Sequence, residues 1–325
     1  MSRTELISPG ELQPVQERAN RILDELDRIL LGHHEVHRLL LIGILSRGHV
    51  LLEGVPGIGK TRLIRSLGRV FSLPFSRIQF TPDLLPSDIL GCNILQMMPD
   101  GERKMVFQPG AIFSNILLAD EINRASPKTQ SAMLEAMQEH AVTLLGETRP
   151  LPEPFFVLAS QNPIELEGTY PIPEAQLDRF AMRLTLGYPD EEAEREMLYD
   201  RRHIDPLESL KPEISCQEVL DLQADMKKVG MEASVSAYLL TIVQSTRRDA
   251  RLTLGASPRA AIRLADCSRS LALISGREFV LPDDVRELAP LVLSHRLVVD
   301  AKTRYAGVSA QEIVAEIVQS VKVPL

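Results

Sequence analysis

The stretch Gly54-Val55-Pro56-Gly57-Ile58-Gly59-Lys60-Thr61 matches the phosphate-binding P-loop pattern in full. Its setting agrees with its letters. Upstream, residues 49–53 read as a short apolar strand. Downstream, Leu63, Ile64, Leu67, Val70 and Phe71 recur at helical spacing, one face of a helix packed on a sheet. Glycines there let the backbone turn its N–H groups inward around phosphates, and the following helix adds its positive end. Lys60 reaches the outer phosphates and Thr61 ligates magnesium. The candidate nucleotide-binding residues are therefore Gly54, Val55, Pro56, Gly57, Ile58, Gly59, Lys60, Thr61 and Arg62, with ATP and Mg2+ as the expected cofactors.

Outward from the loop, residues from about 15 to 188 alternate short apolar strands with amphipathic helices, the pattern of an α/β fold with a parallel sheet covered by helices on both faces. Strands are expected at 49–53, 77–80, 115–120, 155–160 and 182–186. A helix starts at Ser126, whose hydroxyl can cap, with Pro127 at the first helical position. Two stretches, 92–109 and 141–152, interrupt the alternation and read as hairpin insertions, the second turning at Gly146. An acidic linker from 189 to about 212 leads into mostly helical periodicity, with Ser257 and Pro258 as another cap and first-turn pair. Two domains are thus expected, 1–188 for the nucleotide-binding α/β unit and 189–325 for the linker and a smaller all-α unit.

A P-loop needs an acidic strand end to hold its metal, and Ile116-Leu117-Leu118-Ala119-Asp120-Glu121 supplies one. Its tip delivers Asp120 toward magnesium and Glu121 toward the attacking water as general base. Asn162 follows another apolar strand and is placed to orient that water or sense the outer phosphate; a turn asparagine before Pro163 is the bland alternative. Arg179 and Arg259 are the candidate cations for charge developing on the transferred phosphoryl group. Arg259 sits in the first turn of a capped helix, where the dipole disfavours cations, so an anionic partner is expected. The competing readings are a local ion pair with Asp178 for Arg179 and a surface charge for Arg259. No Asn-Lys-x-Asp guanine-reading segment occurs, which favours adenine.

The bulk properties narrow the function. With 44% apolar and 25% charged residues over 325 positions, the chain has the composition of a folded globular protein. The aliphatic run at 39–45 is far short of the roughly 18 residues that span a bilayer, so no membrane insertion is expected. No secretory leader is recognisable, and a cytoplasmic location is the expectation. A formal charge of −8 argues against sequence-independent nucleic-acid binding. Cys92, Cys216 and Cys267 are too dispersed for a disulfide framework or a zinc site, and His33, His34 and His37 lack the cysteine or carboxylate neighbours of a metal centre.

The run from Gly48 to Gly57, the segment Asp120-Glu121-Ile122-Asn123-Arg124-Ala125 and Ser160-Gln161-Asn162-Pro163 together resemble the MoxR family of AAA+ ATPases. The likeness extends through Thr81 to Pro86 and Gly255 to Ala260, and so over about residues 20 to 305. It implies that Lys60 and Thr61 are Walker A residues, Asp120 and Glu121 Walker B, Asn162 sensor 1, Arg179 the arginine finger and Arg259 sensor 2. It further implies a homo-oligomer, a hexameric ring with nucleotide at each subunit junction, an α-helical lid, and the two hairpins facing the pore. The activity implied is chaperone-like maturation of protein complexes, including metal insertion, on a protein client or with a partner carrying a von Willebrand factor type A domain. A DNA-remodelling ring and a nucleotide-controlled scaffold with little turnover are the alternatives; the charge opposes the first, and Glu121 with Asn162 the second.

Overall fold

The computed structural model describes residues 6–29, 31–54, 57–99, 101–162, 168–189, 191–192, 194–195, 210 and 212–324. Helices α1 (Pro9–Asp27) and α2 (His34–Leu45) lead into β1 (His49–Glu53), α3 (Lys60–Val70), β2 (Phe75–Gln79) and α4 (Pro86–Leu90). A hairpin of β3 (Gly91–Met97) and β4 (Arg103–Pro109) follows, then β5 (Ile116–Asp120) and α5 (Pro127–Glu139). The hairpin of β6 (Ala141–Leu144) and β7 (Glu147–Pro150) comes next, then β8 (Phe156–Gln161), α6 (Glu174–Leu177) and β9 (Phe180–Thr185). The five main strands pair in parallel in the order β2-β5-β8-β1-β9.

Both faces of this sheet are covered, which explains why β1 and β5 are buried at every position yet alternate in what they touch. Val50, Leu52, Ile116 and Leu118 point into one core with Leu41, Leu63 and Leu67 of α2 and α3. Leu51, Leu117, Ala119 and Val157 point into the other with Met133, Leu134 and Met137 of α5. Each such side chain fully withdrawn from water contributes about 1.5–3 kcal/mol, so the sheet's register is fixed from both sides. Strand β2 begins earlier than the apolar pattern indicates, at Phe75, because as an edge strand it buries only Ile78 fully.

The two hairpins stand off the sheet. Leu145 and Gly146 both take positive φ, the two-residue turn whose twist suits a tight hairpin. The guanidinium of Arg149 on β7 lies 4.1 Å from the centre of the Phe107 ring on β4, joining one hairpin to the other.

The C-terminal part, where the lid is expected, is made of α7 (Cys216–Met226), α8 (Ala233–Thr246), α9 (Pro258–Ile274), α10 (Pro282–Leu293), α11 (Ala301–Tyr305) and α12 (Ala310–Ser320). It adds one short antiparallel ribbon, β10 (Leu252–Leu254) with β11 (Val298–Val299). Ser215, Ser257 and Ser309 each accept a hydrogen bond from the third backbone N–H of the helix they cap, an arrangement that contributes about 1 kcal/mol per helix. Leu264 and Cys267 of α9 share a core with α2 and β9, so lid and sheet are packed together. Most of the acidic linker expected at 189–212 lies outside the described residues. Among the described residues no helix is long and apolar enough to cross a membrane.

Candidate functional site

At the C-terminal end of the sheet a cavity of about 410 Å³ is lined by Gly57, Gly59, Lys60, Thr61, Arg62 and, facing them, Asp120, Glu121, Asn162, Arg77 and Gln79. The loop between β1 and α3 forms one wall. Gly57 and Gly59 take φ of 83° and 101°, a region open to glycine at little cost, and Gly59 caps α3. The first turn of α3 carries no acidic residue, so its exposed N–H groups and helix dipole face the cavity unopposed by a carboxylate on that turn. The Lys60 ammonium donates to the Gly54 carbonyl at 2.5 Å, which holds it over the loop. Val55 and Pro56 lie outside the described residues.

The opposite wall is made by strand tips. Parallel pairing of β5 with β8 sets Asp120 beside Ser160, whose hydroxyl donates to Asp120 Oδ1 at 2.5 Å. The same hydroxyl accepts the Glu121 backbone N–H at 2.9 Å, fixing Glu121 in a left-handed conformation with φ 56°. Such a backbone costs of order 1 kcal/mol or more in a non-glycine residue and turns the carboxylate out of the strand into the cavity. Glu121 Oε2 accepts from Gln79 and from Arg124, both at 2.9 Å. Asp120 Oδ2 accepts from Arg77 at 2.7 Å. Asn162, buried just past β8, completes the rim.

Arg77 and Gln79 are cavity residues that the sequence reading did not single out, and Ser160 stands in a quoted motif without a role of its own. Their signal was present. Arg77 and Gln79 are polar positions two apart on a strand, and so share the face that reaches the acidic tip.

Arg179 and Arg259 do not line this cavity. Arg179 precedes β9 and donates to the Leu134 carbonyl at 2.6 Å. Arg259 is exposed in the first turn of α9, 3.8 Å from Asp178 Oδ2, which is its anionic partner. Asp178 also accepts from Arg296 at 2.8 Å and from Ser257 at 3.3 Å. Since His49 pairs with Phe180 and Glu53 with Thr185, Asp178 and Arg179 sit at the N-terminal end of the sheet and the loop at Gly54 at the other. The length of β1 alone separates the two ends by about 13 Å. Both arginines thus stand at the pole remote from their own chain's cavity.

A larger cavity of about 590 Å³ opens between α2, β9 and the lid, but it brings no phosphate-binding loop together with acidic strand tips. His34 and His37 both bond Asp27 through Nδ1 at 2.5 Å. Burial pushes the Asp27 carboxyl up, and the two imidazoles outweigh it, holding it below its usual range. Cys267 is buried, and burial raises its thiol to about 11.

The donor set suits a magnesium nucleotide. Backbone N–H groups and cations on one wall match phosphate, and the Thr61 hydroxyl with the Asp120 carboxylate supplies the hard oxygens that magnesium prefers. Comparison with known proteins shows an ATPase family. Residues 49–182 match the model of the ATPase family associated with various cellular activities (AAA), and residues 244–317 match the AAA lid domain. The chain is 44% identical to the uncharacterized protein YeaC of Bacillus subtilis, across 97% of each chain. It is 42% identical to Chaperone MoxR1 of Mycobacterium tuberculosis, covering 94% of this chain and 82% of that one. Protein MoxR of Methylorubrum extorquens is 30% identical, with 90% and 91% covered. A crystal structure from Cytophaga hutchinsonii, provisionally assigned as an ATPase, superimposes with a TM-score of 0.87 at 38% identity over 96% of this chain and 97% of that one.

Proposed function

Because the chain belongs to the MoxR family of AAA+ ATPases, we propose that it hydrolyses ATP with Mg2+ and uses the energy to remodel or mature protein complexes as a chaperone does. One observation carries the catalytic part. The strand tips bearing Asp120, Glu121 and Asn162 converge on the wall opposite Lys60 and Thr61, across a cavity of nucleotide size. Magnesium, held by Thr61 and Asp120, would supply charge to the outer phosphates. Lys60 offsets the same charge from the loop side. Glu121 accepts the proton of the attacking water, and Asn162 orients that water.

The positions of Arg179 and Arg259 support an assembly in which nucleotide sits between subunits. A guanidinium at the N-terminal end of the sheet stabilises phosphoryl transfer only in an adjacent copy, so the reading includes a homo-oligomeric ring, a hexamer by family resemblance. The client is a protein complex, with a von Willebrand factor type A protein as the expected partner, in the cytoplasm. The DNA alternative is disfavoured by the net charge of −8.

Three proteins test the catalytic reading. Wild type should turn over ATP. Lys60→Ala should fail to bind it, and Glu121→Gln should bind it normally while hydrolysing at least about a hundredfold more slowly. Wild-type turnover in the Glu121→Gln protein would remove Glu121 as the base, and wild-type affinity in Lys60→Ala would remove the loop as the phosphate site.

A further inference from the structure

The pair Asp120 and Glu121 is held from the edge strand by two side chains that no step above uses. Strand β2 pairs with β5 so that Gln79 stands opposite Asp120, and Arg77 lies two residues back on the same face. Arg77 Nη2 donates to Asp120 Oδ2 at 2.7 Å and to the Gln79 side-chain carbonyl at 2.8 Å. The Gln79 amide nitrogen donates in turn to Glu121 Oε2 at 2.9 Å. The orientation of this amide is determined at both ends, because turning it over would set donor against donor at Arg77 and acceptor against acceptor at Glu121. With Ser160 on Oδ1, both oxygens of Asp120 are engaged.

We propose that Arg77 is a positioning residue that competes with the divalent cation for Asp120. This rests on the ATPase reading given above. A cation drawing on Asp120 Oδ2 meets the guanidinium at the same oxygen, and two positive groups there repel. Cation binding and the Arg77 contact are thereby linked, and linkage acts equally in both directions. A merely structural surface ion pair would contribute little and would leave metal affinity where it is.

The test compares ADP affinity with and without magnesium on the assembled protein, using a fluorescent ADP. The ratio of the two affinities measures how well the cation is held. Removing the competitor in Arg77→Met should raise this ratio at least about fivefold, a coupling of ordinary size between two sites. Arg77→Lys, which keeps the charge, should bring it back toward the wild-type value. Arg77→Gln reads the same quantity if the methionine variant does not assemble. Asp120→Asn should lower the ratio toward one and abolish the effect of Arg77→Met, since the two then have nothing to compete for. An Arg77→Met ratio equal to or below wild type, in a protein that binds ADP normally, overturns the proposal and leaves the ATPase reading standing. A wild-type protein that binds no ADP overturns both, whereas one whose ADP affinity ignores magnesium overturns this proposal alone.

Discussion

Single residues carry the polar economy of this molecule, and His49 shows how one buried group sets a pH dependence. Its Nδ1 accepts the Val157 backbone N–H at 3.1 Å, and Nε2 reaches the Met137 carbonyl at 3.3 Å, so the ring is a neutral tautomer with its proton on Nε2. Burial lowers its pKa to about 3; the Met137 carbonyl opposes this, and His140 and Arg263 add to it. In the unfolded chain the same ring titrates near 6.5. Between these values the unfolded state binds a proton that the folded state does not, so stability rises with pH through this window and is lost as pH falls from 6.5 toward 3. The contribution approaches about 1.4 kcal/mol per pH unit. His49→Gln should therefore flatten the acid side of the stability profile, read as urea midpoints between pH 7 and pH 4. An unchanged slope would mean that other groups dominate acid unfolding.

At the scale of elements, the decisive joint is between the lid and the start of β9. Arg296, in the turn after α10, is almost fully buried, and it donates to the Asp178 carboxylate and to the backbone carbonyls of Phe180 at 2.5 Å and Ala181 at 3.2 Å. Burial lowers the guanidinium pKa, with Asp178 pulling it back. Such a group stabilises by being fully partnered, and truncating it removes the buried donors that tie the Asp178 carboxylate and the Phe180 and Ala181 carbonyls to the turn after α10. Arg296→Met should cost about 3–5 kcal/mol, measurable by denaturant unfolding, and should loosen the lid in hydrogen exchange around 178–181. A loss under about 1 kcal/mol would show that helix packing alone seats the lid. The elements themselves were readable because their causes are local: Ser-Pro caps, apolar spacing and continuous apolar strands. The joint was not, because Arg296 and Asp178 are 118 residues apart, and nothing in either neighbourhood of sequence announces the other.

At the scale of the whole molecule, the two poles of the sheet divide the proposed catalytic work between copies. Lys60→Ala keeps an intact Arg179, and Arg179→Ala keeps an intact P-loop, so mixing the two inactive proteins under subunit exchange should restore part of the ATPase activity. An arginine supplied in trans is worth roughly a thousand- to a hundred-thousandfold, so even a minority of competent junctions is detectable above either parent. Verified exchange with no recovered activity would remove Arg179 as the finger. By itself the sequence determined the glycine-rich loop between strand and helix, the parallel α/β sheet with its helical lid, and the family, because each rests on residues close along the chain whose spacing obeys helix, strand or loop geometry. Only the tertiary structure decided that Arg77 and Gln79 bracket the acidic pair and that Arg259 shares a pole with Arg179 away from its own cavity. Those facts depend on which strand lies beside which and on where the lid docks. Strand order and docking are settled by burial of apolar faces between distant segments, and local spacing carries no record of them.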